Sequence, residues 1–245
     1  MIPLYRTDPY LAETQTVVDR VIPAQTGQVI FCREALFMEG GGQPMDYGYL
    51  VLGDQSYPLI QIIKEKGNTG YVISSDASVE KGMQVQCVLD FHRRFQVMRL
   101  HTAQHALAGA LRIIRSDLLT GGMTIASDAD SCTVLYPAAV ALTDSELTDA
   151  LGMVHQYIRE GRSVLSDTVS SEAQAHERYQ DLYRPTIASG SLKGSIRLIV
   201  IEGLDANACG GTHVRNLQEV CGIEIVQVKS VPEGRQVIFK LIEES

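Results

Sequence analysis

No run of about 18 apolar residues occurs anywhere in the chain, so no helix is expected to span a membrane. The N-terminal MIPLYRTDPY has neither a basic start nor an apolar stretch, and no signal peptide is expected. Prolines are few (8), charged residues make up only 20%, and no tract is compositionally biased, which excludes a disordered or fibrous protein. The five cysteines (Cys32, Cys87, Cys132, Cys209, Cys221) are odd in number and irregularly spaced. That argues against a disulfide framework and for free or metal-bound thiols in a reducing, cytoplasmic setting. Bases are also scarce, 21 against 29 acids for a net charge of −8, which speaks against a phosphate-rich partner. Their distribution qualifies this. Between Phe91 and Leu119 stand Arg93, Arg94, Arg99, Arg112 and Arg115 against one acid, Asp117. Such a stretch can present a local basic face to nucleic acid, and it is equally the pattern of solvated helix arginines.

The chain is 45% hydrophobic and 245 residues long, enough to bury the core of one large or two modest domains. Residues 1–90 read as short β-branched strands broken by turn signals (TVVDRV, QVIFC, YLVLG, PLIQII, GYVIS, MQVQCVL), which suggests a small barrel or sandwich. Past Asp90 the apolar period changes from two to about 3.6: Leu100, Ala103, Leu107, Leu111, Ile114 and Leu118 mark one face of a helix. A second helix starts at Thr143 with Glu146 completing a capping box, and Gly161 stops it. SVLSDTV reads as a strand, 171–182 as a third helix, and IRLIVIE, GIEIVQVK and RQVIFKLIE as three more strands. That order suits an α+β fold with an antiparallel sheet. Two domains are expected, 1–90 and 91–245.

Two short motifs carry the chemistry. His101-Thr-Ala-Gln-His105 places two imidazoles about one turn apart on the same helix face. Cys209-Gly-Gly-Thr-His213 follows a predicted strand, and its two glycines let the backbone turn tightly enough for thiolate and imidazole to converge. Three histidines and one cysteine suit a single tetrahedral Zn²⁺ rather than Mg²⁺ or Ca²⁺. A zinc metalloprotease is excluded, because its H-E-x-x-H needs glutamate where Thr102 stands. A third feature, Glu39-Gly-Gly-Gly-Gln-Pro-Met-Asp46-Tyr-Gly48, offers exposed amides for close approach to a ligand, or simply turns the chain between strands. No G-K-[ST] follows it, so it is not a P-loop.

In their order FMEGGGQPMDYG, RLHTAQHALAGALR and NACGGTHVRN, these elements resemble the editing domain of alanyl-tRNA synthetase and its free-standing relatives, the AlaX proteins of medium length. The resemblance runs from about Phe31 to Lys229. It implies a small β-barrel-like domain followed by a zinc-binding editing domain. It implies His101, His105, Cys209 and His213 as ligands of one zinc ion, and Gly40, Gly41, Gly42 and Gln43 as a loop near the active site. Thr102, Gln104 and Gln43 become candidates to bond the serine hydroxyl or the attacking water, with Arg93 and Arg94 contacting substrate. Gln104 departs from the threonine many full-length synthetases carry there, and the tail PEGRQVIFKLIEES lacks their paired-arginine strand. The implied activity is hydrolysis of the aminoacyl ester on mischarged tRNA(Ala), carrying serine or glycine, recognised at its acceptor end. The chemistry fits, because a pocket built for alanine gains only about 1–3 kcal/mol against a ligand differing by one hydroxyl or methyl. The same residues leave open a deacylase of other preference (threonyl or D-aminoacyl) and a non-catalytic zinc module that binds nucleic acid.

Overall fold

The period-two segments at the start of the chain become seven strands. In the computed structural model, which describes residues 3–24, 27–32, 36, 39–65, 68–74, 76–118, 120–183 and 194–242, a short helix α1 (Leu4–Thr7) precedes them. They are β1 (Glu13–Ala24), β2 (Gly27–Cys32), β3 (Gly48–Leu52), β4 (Gln55–Pro58), β5 (Gln61–Glu65), β6 (Asn68–Ile73) and β7 (Gln84–Leu89). All pair antiparallel in one sheet of order β4-β3-β7-β1-β2-β6-β5. The long β1 pairs with β7 through Glu13–Val17 and with β2 from Val18 onward, and its register slips between Val18 and Arg20. A bulge of this kind bends a strand and increases its twist, which here curls the sheet into a half-barrel. The expected barrel is therefore an open one. Its concave core holds Val18, Ile30, Leu50, Tyr71, Ile73 and Leu89. Val29, Phe31 and Val72 bury a second, smaller cluster, which is why β2 reads as a continuous apolar run.

The chain divides into two compact units, Met1–Gly40 with Pro44–Phe95, and Gly41–Gln43 with Gln96–Ser245. After α2 (Phe91–Ile114), the second unit contains β8 (Gly122–Ile125), β9 (Cys132–Pro137), α3 (Asp144–Glu160), β10 (Val164–Val169), α4 (Glu172–Tyr179), β11 (Ile196–Ile201), β12 (Asp205–Ala208), β13 (Ile223–Val231) and β14 (Gly234–Leu241). Two antiparallel sheets form, β10-β11-β12 and β13-β14-β9-β8, where the sequence suggested one. The difference comes from β8, β9 and β12, which the sequence reading did not assign; of these β12 carries the weakest strand signal. β12 is Asp-Ala-Asn-Ala, residues depleted in strands, and its burial supplies the order that propensity does not.

The helices follow their local signals. Thr143 accepts from the Glu146 amide while the Glu146 carboxylate accepts from the Thr143 N–H, and Gly161 ends α3 in the left-handed conformation. Ser171 caps α4, which stops at Tyr179 and passes into a 3-10 turn over Gln180–Leu182, so the third helix is shorter than expected. α2 differs more. Every residue from Val97 to Leu111 is buried, including Arg99, His101, Thr102, Gln104 and His105. A helix buried all round is a core element, and its polar residues must find partners inside the protein. Among the described residues no helix is long and apolar enough to cross a membrane, and the five cysteines form no disulfide.

Candidate metal centre

α2 supplies two of the four donors. His101 and His105 lie one turn apart, with ring centroids separated by 5.3 Å. The loop after β12 supplies the others. Arg197 on β11 holds that loop by donating to the carbonyls of Cys209 (2.8 Å) and Gly211 (3.0 Å). Gly211 is a glycine for a steric reason: a Cβ there would stand 2.2 Å from Gln43 Oε1 and 2.3 Å from His101 Cε1. With only a hydrogen in that place, Cys209 Sγ reaches 3.6 Å from His101 Nε2 and 3.3 Å from His213 Nε2. One ligand atom from each of His101, His105, Cys209 and His213 falls within 4.8 Å of all the others.

Each histidine is oriented by a different outer partner. His101 Nδ1 lies 2.9 Å from Gln43 Oε1, which also accepts from the Thr212 amide at 2.7 Å, while Gln43 Nε2 donates to Thr212 Oγ1. His105 Nδ1 donates to Asp205 Oδ2 at 2.9 Å. His213 Nδ1 lies 3.1 Å from Thr102 Oγ1. The Thr102 hydroxyl donates to Met98 O (2.9 Å) and accepts from the Val214 amide (3.2 Å), so its one remaining lone pair receives the His213 Nδ1–H. With Nδ1 facing an oxygen acceptor in each case, the neutral ring that satisfies these contacts keeps its proton on Nδ1 and turns the Nε2 lone pair towards one point. Outer contacts of this type fix both tautomer and ring direction in metal sites.

The donor set fits zinc. Tetrahedral bonds of about 2.0–2.1 Å to nitrogen and about 2.3 Å to sulfur give sulfur–nitrogen edges of roughly 3.5 Å, the range in which Cys209 stands from His101 and His213. Burial pushes the Cys209 thiol up, but the imidazoles of His101 and His213 outweigh it, and the thiol lies well below its ordinary pKa. Burial, followed by the neighbouring His101, holds His213 well below the usual imidazole value. A thiolate beside a neutral imidazole is the protonation state that metal binding requires.

The remaining expected residues are placed less uniformly. The loop Gly40, Gly41 and Gly42 has positive φ at all three positions. The Gly42 carbonyl accepts from the Ile125 amide (2.9 Å), and a Cβ on Gly42 would strike Met123 O at 2.5 Å. Phe37 and Met38, which open the motif, lie outside the described residues. Gln104 is 7% exposed, and among the described residues its amide has no hydrogen-bond partner. Thr102 and Gln43, by contrast, are spent on the histidines. Cys221 stays out of the cluster and donates to Glu219 O. His155 bonds to the backbone of Ile223, and His176 packs edge-on against Tyr183.

The arginines of the expected basic face are mostly turned inward. Arg94 is fully buried and holds Asp46 with two bonds (2.9 and 2.5 Å), using its other donors on the Leu36 and Pro9 carbonyls. Arg93 donates to Met45 O and lies over the Tyr47 ring. Arg99 bonds to Val220 O and Gln96, Arg112 pairs with Asp205, and Arg115 pairs with Asp117 and Glu146. The guanidiniums on α2 face internal acceptors because α2 is a core helix, whereas Arg115 lies just beyond its end and pairs with the exposed Asp117. Replacing Arg94 by Met should cost about 3–5 kcal/mol, the effect of stranding a buried carboxylate, read as a lowered denaturant midpoint.

An α+β chain in which three imidazoles and a thiolate converge in this way carries a cluster that could hold a metal ion. Comparison with known proteins sharpens that. Residues 196–238 match the family described as "Threonyl and Alanyl tRNA synthetase second additional domain". The chain is 28% identical over 252 residues to the "Alanyl-tRNA editing protein AlaX-M" of Methanosarcina mazei, covering 99% of this chain and 97% of that protein. The protein of the same name from Methanosarcina acetivorans gives 28% over 250 residues, 98% of each. The "Alanine--tRNA ligase" of Ignicoccus hospitalis is 29% identical over 232 residues, 94% of this chain. The chain spans only about a quarter of the length of that ligase and the others like it. The resemblance read from the three motifs is borne out.

Proposed function

We propose that this chain is a trans-editing hydrolase that deacylates mischarged tRNA(Ala), with Ser-tRNA(Ala) as its main substrate and Gly-tRNA(Ala) as a second. The observation that carries the reading is the convergence of His101, His105, Cys209 and His213, three of them locked by outer partners, in a chain similar from end to end to two editing proteins. Residues 1–90 and 91–245 would act as the loop-bearing β domain and the editing domain. One zinc ion held by the four donors would supply positive charge to polarise the ester or to lower the pKa of a water.

The protein's own residues divide into two roles under this reading. Thr102 and Gln43 have their bonding capacity committed to His213, His101 and Thr212, so they act as positioning residues. Gln104 is the residue left to meet substrate. It sits three positions after His101 on α2, hence on the same side of the helix, and its amide, which has no partner among the described residues, can both donate to and accept from a hydroxyl. A polar group built to bond a hydroxyl discriminates strongly against a ligand lacking it.

Gln104→Leu tests this with little change in volume. Hydrolysis of Ser-tRNA(Ala) should fall by about 10–100-fold in kcat/KM with zinc content unchanged, the effect of losing about 1–3 kcal/mol of a hydrogen bond to substrate. An unaltered rate would remove Gln104 from the pocket. Retention of one zinc per chain with no hydrolysis of any aminoacyl-tRNA would favour the non-catalytic module instead, a reading consistent with four protein donors filling a closed tetrahedron.

A further inference from the structure

We infer that Asp205 is a positioning residue for the metal centre: its carboxylate fixes His105 with Nε2 presented to the ion, and Arg112 and Asn207 hold the carboxylate itself in place. The inference rests on the metal reading above. Asp205 is completely buried on β12, a short segment that carries no recognisable functional motif. Its Oδ2 accepts from His105 Nδ1 at 2.9 Å, and its Oδ1 pairs with Arg112. Asn207 Nδ2 donates to both oxygens, at 2.8 and 3.0 Å. Three hydrogen bonds and the ion pair with Arg112 occupy the two oxygens. The carboxylate can neither rotate nor donate, so it faces His105 as an acceptor only. The Nδ1 proton is thereby fixed, and the lone pair is left on Nε2.

This differs from the restraint on the other two rings. Gln43 and Thr102 are neutral, and the threonine could donate instead of accept if its other bonds rearranged. Asp205 alone brings a full negative charge behind a ligand, which increases the basicity of the imidazole as well as aiming it. Arg112 neutralises that charge within the core. The arginine read from the sequence as part of a basic face therefore belongs to the outer shell of the metal site, through the carboxylate.

Asp205→Asn keeps the shape and removes the charge. Competition with a chromophoric chelator should show zinc bound about 10–100-fold more weakly than by the unsubstituted protein, with an unchanged far-ultraviolet circular dichroism spectrum. Cobalt substituted for zinc should give visible bands of altered position, a signature that loss of a merely structural ion pair would not produce. An affinity within twofold of the parent and identical cobalt bands would overturn the inference. Should the variant not fold, the unsubstituted zinc-loaded protein decides. Long-range proton–nitrogen spectra should place the His105 proton on Nδ1, and a proton on Nε2 would overturn the inference. Zinc bound as expected without tRNA hydrolysis would defeat only the proposed function, whereas failure of the parent protein to bind zinc would defeat both.

Discussion

His105→Ala should strip the protein of zinc and reduce deacylation to the uncatalysed background. The substitution removes one of four donors, and it also leaves the Asp205 carboxylate without its histidine partner, tied only to Arg112 and Asn207. Loss of an outer contact alone costs about 10–100-fold in metal affinity, so loss of the ligand should exceed about 100-fold. Because Asp205 stays paired, the core of α2 should survive, and the circular dichroism spectrum should match the parent. Metal analysis after dialysis, together with single-turnover deacylation, checks the two halves separately. Full activity in a zinc-free variant would end the metal's role.

Gly211→Ala should be nearly as damaging although it touches no donor atom. The added methyl would stand 2.2 Å from Gln43 Oε1, 2.3 Å from His101 Cε1 and 2.6 Å from His101 Nδ1. None of these can yield cheaply, since Gln43 is pinned by Thr212 and His101 is fixed to α2. Overpacking of this type costs about 1–3 kcal/mol in stability. The functional loss should be larger, because displacement of reacting groups by about 1 Å can cost roughly 100-fold in rate. Gly152→Ala on α3 is the control. Its Cβ would meet nothing within 4 Å, and alanine is favoured over glycine in a helix by about 1 kcal/mol. That variant should be at least as stable as the parent and fully active. Equal behaviour of the two would show that close packing at Gly211 is not what assembles the site.

The donors were legible because their spacing is chemistry in itself. His101 and His105 stand one helical turn apart, Cys209 and His213 flank two glycines, and two such pairs in one chain point to a single four-donor centre. The capping box at Thr143 and Glu146 was legible for the same reason, as a local motif satisfied by local geometry. What escaped was everything that depends on direction. The arginines of α2 read as a basic face because charge in a sequence does not say whether a helix side turns in or out, and Arg94 turned fully inward onto Asp46. Thr102 and Gln43 lie against His213 and His101. Their roles were not readable, since only the placement of Val214, Met98 and Thr212 shows that their bonds are already committed. Asp205 escaped altogether. Its strand is four residues of poor propensity, ordered by pairing with β11 and not by its own pattern.

The most direct test compares three substrates on one tRNA. Zinc-loaded protein would be incubated with tRNA(Ala) carrying serine, glycine or alanine, and release of each amino acid followed with time. The account predicts fast loss of serine, slower or comparable loss of glycine, and alanine retained. Hydrolysis of alanyl-tRNA(Ala) as fast as the seryl form, or no hydrolysis of any of the three with one zinc bound per chain, would contradict it.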